Sequence, residues 1–278
     1  MSYPNIRTLL PSMRILLYAG SGFVLIAGIQ LLVFADQTEI LFAWTIKPPL
    51  TAAVLGAFYF GSMCYSFLSA RGQVWAYTRG GVPGVIFFTW LTLAATLLHL
   101  DRFHFNSANP FTLTVTYTWL VIYALEPTAL VVLLYLQSRA PGSDPARAAV
   151  LPGGFRAILF IQGILFLFFA SALFIAPQTM IPLWGWALTP LTARALAAWI
   201  FSLGIVSVRA AWENDWTRIR ISMISYAILG ALQFFALGLY ARDMDWSAPS
   251  GWAFTALIAS ILGVGTYGWF KARRAVSG

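Results

Sequence analysis

Charge is what this sequence has least of. Asp, Glu, Lys and Arg make up 9% of its 278 residues, against 60% hydrophobic ones. Soluble domains carry roughly a quarter charged residues, so this chain cannot cover a water-facing surface, and soluble enzymes and binding modules are excluded. Cysteine is nearly absent: Cys64 stands alone, which rules out an intramolecular disulfide and any paired-cysteine metal motif. Only two histidines occur, His99 and His104, and both lie on one segment. A haem bridged between helices takes an imidazole from each of two. No lysine falls inside an apolar run, Lys47 and Lys271 both standing at boundaries, so a retinal-type Schiff base has no anchor. P-loop, G-x-S-x-G and H-E-x-x-H patterns are missing as well. No catalytic, cofactor or metal site is therefore expected.

What the chain does have is long apolar runs. They lie near 15–35, 49–69, 82–100, 112–136, 157–176, 190–211, 219–241 and 252–270. At ~1.5 Å per residue each can cross ~30 Å of hydrocarbon, the third only just. The expectation is an all-α integral membrane protein with eight transmembrane helices. The first run, behind Arg7 and Arg14, is too long for a signal-peptide core and is read as a retained span.

The net charge of +8 does not point to nucleic acid, because the cations are scattered through short loops. Assigned to alternating sides, thirteen fall on one: Arg7, Arg14; Arg71, Arg79; Arg139, Arg147, Arg156; Arg209, Arg218, Arg220; Lys271, Arg273, Arg274. Lys47, Arg102, Arg194 and Arg242 fall on the other. Positive loops stay cytoplasmic. Both termini are thus expected inside, in a multi-pass protein of the cell (cytoplasmic) membrane. Trp44, Trp184, Trp186, Trp246 and Trp252 fall at the expected outer boundary, and Trp75, Trp212, Trp216 and Trp269 at the inner one. An interfacial belt would place them so.

The chain also repeats itself. Pro49-Leu50-Thr51-Ala52 recurs 141 residues on as Pro190-Leu191-Thr192-Ala193, Trp75 meets Trp216, and Arg79 meets Arg220. Fifteen of the 45 positions from 35 to 79 are identical at this offset. Four spans per unit is an even number, so the units enter the membrane in the same sense, as parallel four-helix repeats. The division is 1–137, a cytoplasmic linker 138–155 rich in Pro, Gly, Ser and charge, and 156–278. The shared motif reads as a helix start: proline suits the first turn, and Thr189 can cap it, where Lys47-Pro48 stands in the earlier copy. An outer loop with tryptophan running into T-P-L-T-A-R and an apolar helix resembles a group of uncharacterised bacterial polytopic membrane proteins. The resemblance is best over 156–215 and weaker over 14–79. It implies topology and no activity.

Few residues could carry chemistry. Glu126 falls deep in the fourth span beside Pro127, with no base nearby in sequence. An intramembrane carboxyl is either a proton or ion site or protonated polar glue between helices. Arg194 stands four residues past Pro190, where a helix N-terminus is already positive, so it should have an anionic partner: Asp36, Asp243 or a lipid phosphate. With Thr189 and Thr192 it could make an anion or headgroup site; alone it is a snorkelling anchor. Asp101 and His104, three apart, could hold a surface metal or proton, or could be a solvated loop. Small residues in Gly20–Phe23, Gly80-x-x-x-Gly84 and Ala259-x-x-x-Gly263 read as close helix contacts. The expected function is a non-catalytic scaffold or accessory subunit of a membrane assembly, with lipid, anionic lipid among it, and other membrane subunits as partners. The alternative is a small-solute or proton-coupled transporter with its site at the repeat interface, and a lipid-modifying membrane enzyme comes third.

Overall fold

The computed structural model describes residues 6–277, which are helical with no strand among them. The long helices are α1 (Pro11–Leu32), α2 (Pro49–Arg71), α3 (Val82–Leu98), α4 (Pro110–Arg139), α5 (Gly153–Ile175), α6 (Pro190–Glu213), α7 (Trp216–Leu239) and α8 (Pro249–Ser277). Seven are long and apolar enough to cross a membrane, and α3 is a shorter apolar helix. This is the build of a multi-pass membrane protein.

Proline starts most of them, standing in the first turn of α1, α2, α3, α4 and α6, where a missing N–H costs no intrahelical bond. Where the preceding residue can cap, it does. Asn109 accepts from Phe111 N at 2.9 Å. Thr189 and Thr192 close a reciprocal capping box, with Thr189 Oγ1 accepting from Thr192 N at 3.2 Å and Thr192 Oγ1 from Thr189 N at 2.9 Å. Pro48 cannot cap, and Asp243 from the far end of the chain does so for α2, accepting from Leu50 N at 3.1 Å.

Helix α2 packs between α1 and α7, and α6 between α5 and α3; α8 backs α7, and α4 backs α3. The bundle is therefore two leaves, α1–α2–α7–α8 and α5–α6–α3–α4, each with two helices from before the linker and two from after it. The most buried spans are α2 and α6. Lipid tails are as apolar as the side chains they would replace, so helices associate here through close packing rather than water exclusion. At the α5–α6 crossing, a Cβ on Gly163 would lie 2.9 Å from the Gly204 carbonyl oxygen, and one on Gly204 3.0 Å from that of Gly163. Only glycine fits both. Gly84 likewise meets α6 at Ser202. The Ala259–Gly263 pair does not do what its spacing suggests: Ala259 is exposed and Gly263 meets nothing. On α8 it is Gly265 and Gly268, one turn on, that approach α7 at Tyr226 and Met223.

The helices run up and down, so alternate loops share an end. At the linker end, Arg7 reaches Gly142, Arg14 reaches Gly72, and Trp216 N bonds Ala149 O. At the opposite, hairpin end, His104 N bonds Ala43 O and Asp245 N bonds Gly185 O.

Candidate functional site

The four inner helices α2, α3, α6 and α7 enclose a crevice of about 60 Å³. Fourteen of its fifteen lining residues form seven pairs separated by 141 positions. Phe58 faces its counterpart Trp199, ring on ring at 5.5 Å and 12°. Gly61 is matched by Ser202, Gly81 by Ser222, Val85 by Tyr226 and Phe88 by Leu229. The fifteenth, Ser225, has Gly84 as its counterpart on α3. Serine hydroxyls and aromatic faces line this space, with no charged side chain among the lining residues.

One wall is a broken helix. Trp216–Leu239 is a continuous helix, but the corresponding stretch is interrupted between Trp75–Thr78 and α3 by Gly80-Gly81. The break frees backbone groups, and Tyr65 takes them up. Its hydroxyl donates to the Thr78 carbonyl and accepts from Gly81 N at 2.8 Å. A Cβ on Gly81 would fall onto the Tyr65 ring. At the matching places α6 has Val206 and the unbroken α7 has Ser222. Nothing is left there to satisfy.

The two ends of the bundle are packed with different chemistry. At the hairpin end two of the loop tryptophans, Trp44 and Trp186, turn inward rather than floating at a boundary. Trp186 is buried and donates from Nε1 to Thr51 Oγ1 on α2 at 2.8 Å. Trp44 is buried against Phe42, Phe103 and Trp119 with ring centroids 4.7–5.2 Å away. Trp75 and Trp216 at the linker end are buried too, and Trp212, Trp246, Trp252 and Trp269 are exposed. The belt expected from composition is therefore half a set of plugs, because an indole on a short loop can fold back over helix ends.

The linker end is closed by ions. Glu213, 2% exposed, takes a two-pronged contact from Arg79, Nε to Oε1 at 2.7 Å and an η nitrogen to Oε2 at 2.9 Å. Arg218 adds a bond of 3.0 Å to Oε2, and Arg209 approaches Oε1 at 3.4 Å. Arg79 also pairs with Asp144 of the linker. The bonded Glu213 carboxylate, foremost among its causes, raises the Arg79 guanidinium above its ordinary value. Asp215 caps α7 through Thr217 N and Arg218 N, and with its other oxygen holds Ala148 N and Ala149 N at 2.7 and 3.2 Å. Two loops and the linker are thus tied into one knot. No family model matches the chain, and neither does any curated protein or solved structure.

The residues singled out from sequence are not gathered here. Glu126 is half-buried on α4, with an oxygen 3.6 Å from where a Cβ on Gly20 of α1 would stand. The Tyr59–Tyr123 hydroxyl pair, 3.0 Å apart, lies beside it, and Tyr59 stacks edge-on against Trp199 of the crevice wall. An aromatic layer separates Glu126 from the crevice. Arg194 has no acidic partner among the described residues. Its Nε donates to the Phe174 carbonyl at 3.1 Å and an η nitrogen to His99 Nε2 at 2.7 Å, joining α6 to the end of α3. That bond needs an unprotonated Nε2, and burial followed by the nearby Arg194 charge holds His99 below the ordinary imidazole value. Asp36 and Asp243, the acids expected for Arg194, serve the other leaf: Asp36 lies beside Tyr240, and Asp243 caps α2. Thr189 and Thr192 are spent on each other in the capping box. His104 is fixed between Thr45 and the Phe42 carbonyl, each at 3.0 Å, and Asp101 pairs with Arg102. No three metal-ligating side chains meet among the described residues.

Sequence reasoning missed the crevice serines, the Tyr65 device and Glu213. The offset of 141 between similar stretches of the sequence also pairs the crevice residues, and it could have found them.

Proposed function

We propose that the protein is a carrier for a small neutral solute, built of two parallel four-helix repeats in eight spans, with both termini on the cytoplasmic side of the cell membrane. The observation that carries this reading is the crevice itself, walled by seven pairs of repeat-related residues. Duplicated transporter folds bind at the interface between repeats, often beside an interrupted helix, and the break after Thr78 stands there. The two ends of the bundle differ in chemistry, one aromatic and one ionic, which suits a site reached from one side at a time. The repeat itself is supported by the helix pairings: α1 on α2 and α2 on α7 in one leaf are matched by α5 on α6 and α6 on α3 in the other. About 60 Å³ holds roughly four water-sized positions, so the solute has only a few heavy atoms. The uncharged lining makes it neutral.

Flux into proteoliposomes, followed by stopped-flow light scattering with urea, glycerol and ammonia as probes, tests the reading. Ser202→Leu and Ser222→Leu each add carbon atoms to the crevice, and should block flux for about 1–3 kcal/mol of overpacking. Permeability equal to that of empty liposomes, or untouched by both substitutions, sinks it.

A second reading, a non-catalytic scaffold subunit, is favoured by the linker end, where Glu213, Asp215 and four arginines make a stiff platform. Subunits retained on purification from native membrane would support it.

A further inference from the structure

Between α5 and α6, on the outside of the bundle at the linker end, runs a groove lined by Gly153, Arg156, Ala157, Phe160, Val208 and Trp212. Its floor and its rim differ in chemistry. Ala157, Phe160 and Val208 make the floor apolar, and Phe160 is exposed along it. The rim offers hydrogen-bond donors. Arg156 gives its Nε–H to the Ala211 carbonyl at 3.0 Å, which fixes the guanidinium in place. No other hydrogen bond among the described residues takes up its η nitrogens. The α5 N-terminus opens over the same rim with no side-chain cap and no acid in its first turn. A Cβ at Gly153 or Gly154 would meet nothing within 4 Å, so the free N–H groups of that turn are approachable. Trp212, 71% exposed, stands on the opposite bank with its indole where a headgroup layer would lie. The carboxylate next to it in sequence, Glu213, is turned away into the arginine knot.

We propose that this groove holds one anionic phospholipid of the inner leaflet. Its phosphate lies against the Arg156 guanidinium and the α5 amides, and an acyl chain lies along Phe160 and Val208. A soluble phosphate would use only the rim; a lipid uses rim and floor together, and the floor runs along the bundle's outer wall. The lipid would fasten α5 to the end of α6, beside the ion knot. Its leaflet follows from the topology proposed above, but its binding does not depend on any transport.

The test uses the full chain in phosphatidylcholine nanodiscs, titrated with dioleoylphosphatidylglycerol and read by native mass spectrometry. One phosphatidylglycerol should be retained in preference to phosphatidylcholine. Arg156→Gln should weaken its retention roughly fivefold, as expected for one arginine facing an anionic headgroup. Ala157→Trp, which fills the floor and leaves the charge, should do the same. Arg139→Gln, an exposed arginine of the same end outside the groove, should change nothing. Equal retention of the two lipids, or unchanged retention in Arg156→Gln, overturns the proposal. Displacement of the lipid by inorganic phosphate alone would also overturn it, making the rim a soluble-anion site. Because no flux is measured, failure here leaves the crevice reading standing.

Discussion

Arg194 shows how a residue's surroundings can reverse an expectation drawn from its position. A cation in the first turn of α6 faces the positive end of the helix, and an acid was expected opposite it. The structure supplies neutral acceptors instead, a carbonyl and an imidazole. Where α6 has Arg194, α2 has Ala53; where α3 ends in His99, α7 ends in Tyr240, which lies beside the acid Asp36. The Arg194–His99 contact sets a cation on a neutral acceptor that can itself be protonated. The consequence is a pH dependence. His99 has its folded value lowered by burial and by Arg194, with Asp101 opposing and Arg102 reinforcing. A lowered value means that the unfolded chain binds its proton first. The contribution to stability is complete above the ordinary imidazole pKa of about 6.5 and is lost as pH falls through the lowered folded value. His99→Gln keeps a neutral acceptor that does not titrate. The thermal midpoint of the wild type should thus fall below that of His99→Gln as pH drops from 7.5 to 5. Parallel curves would mean that the His99–Arg194 bond carries no such linkage.

At the scale of elements, helix starts were legible because proline and capping side chains act on their own neighbours. Spans were legible because apolar length is a one-dimensional property. The break before α3 was not, although Gly80-Gly81 is plain in the sequence, because its backbone is satisfied by Tyr65 from another helix. The buried tryptophans escaped for a similar reason, since depth across a loop is set by what lies beneath it. The crevice was hidden because the proposed repeat was read from identities alone. Identities cluster at the shared helix start and at Trp75 and Arg79, whereas all seven crevice pairs differ between halves. Glu213 was overlooked because Arg79, its two-pronged partner, comes from 134 residues away. The knot they form carries a prediction. Removing the charge from a buried carboxylate shared by arginines leaves cations without their counter-charge, at about 2–5 kcal/mol. Glu213→Gln should lower the thermal midpoint in detergent sharply. Arg102→Gln, which breaks an exposed pair, should stay within about 0.5 kcal/mol of the wild type. Equal midpoints for the two variants would reduce the knot to surface decoration.

For the molecule as a whole, the proposed topology turns on α3. α3 is the helix that length alone leaves out, since its 17 residues rise about 25 Å. Its ends are nonetheless pinned at opposite ends of the bundle. Arg79, just before it, is bonded to Asp144 and Glu213 in the knot, and His99, just after it, to Arg194 among the hairpin loops. The path from Trp75 to Leu98 therefore covers the depth that the 24-residue α7 covers unbroken. If α3 crosses, the loops carrying thirteen cations all share the linker end, as the contacts of Arg7, Arg14, Arg79, Arg147 and Arg218 with neighbouring loops already place them. That many of these arginines are spent on carbonyls and carboxylates in the fold does not weaken the bias, because orientation follows the count of Lys and Arg near the spans and acids contribute little. Alkaline phosphatase fused after Ser138 or at the C-terminus should therefore be inactive, and a fluorescent protein at either site should glow. Phosphatase inserted after Ser107, in the loop behind α3, should be active. Phosphatase activity at the C-terminus would overturn the scheme. Phosphatase inactive both after Gln73 and after Ser107, on the two sides of α3, would leave α3 unable to cross, and with it the even count of spans on which the parallel repeats depend.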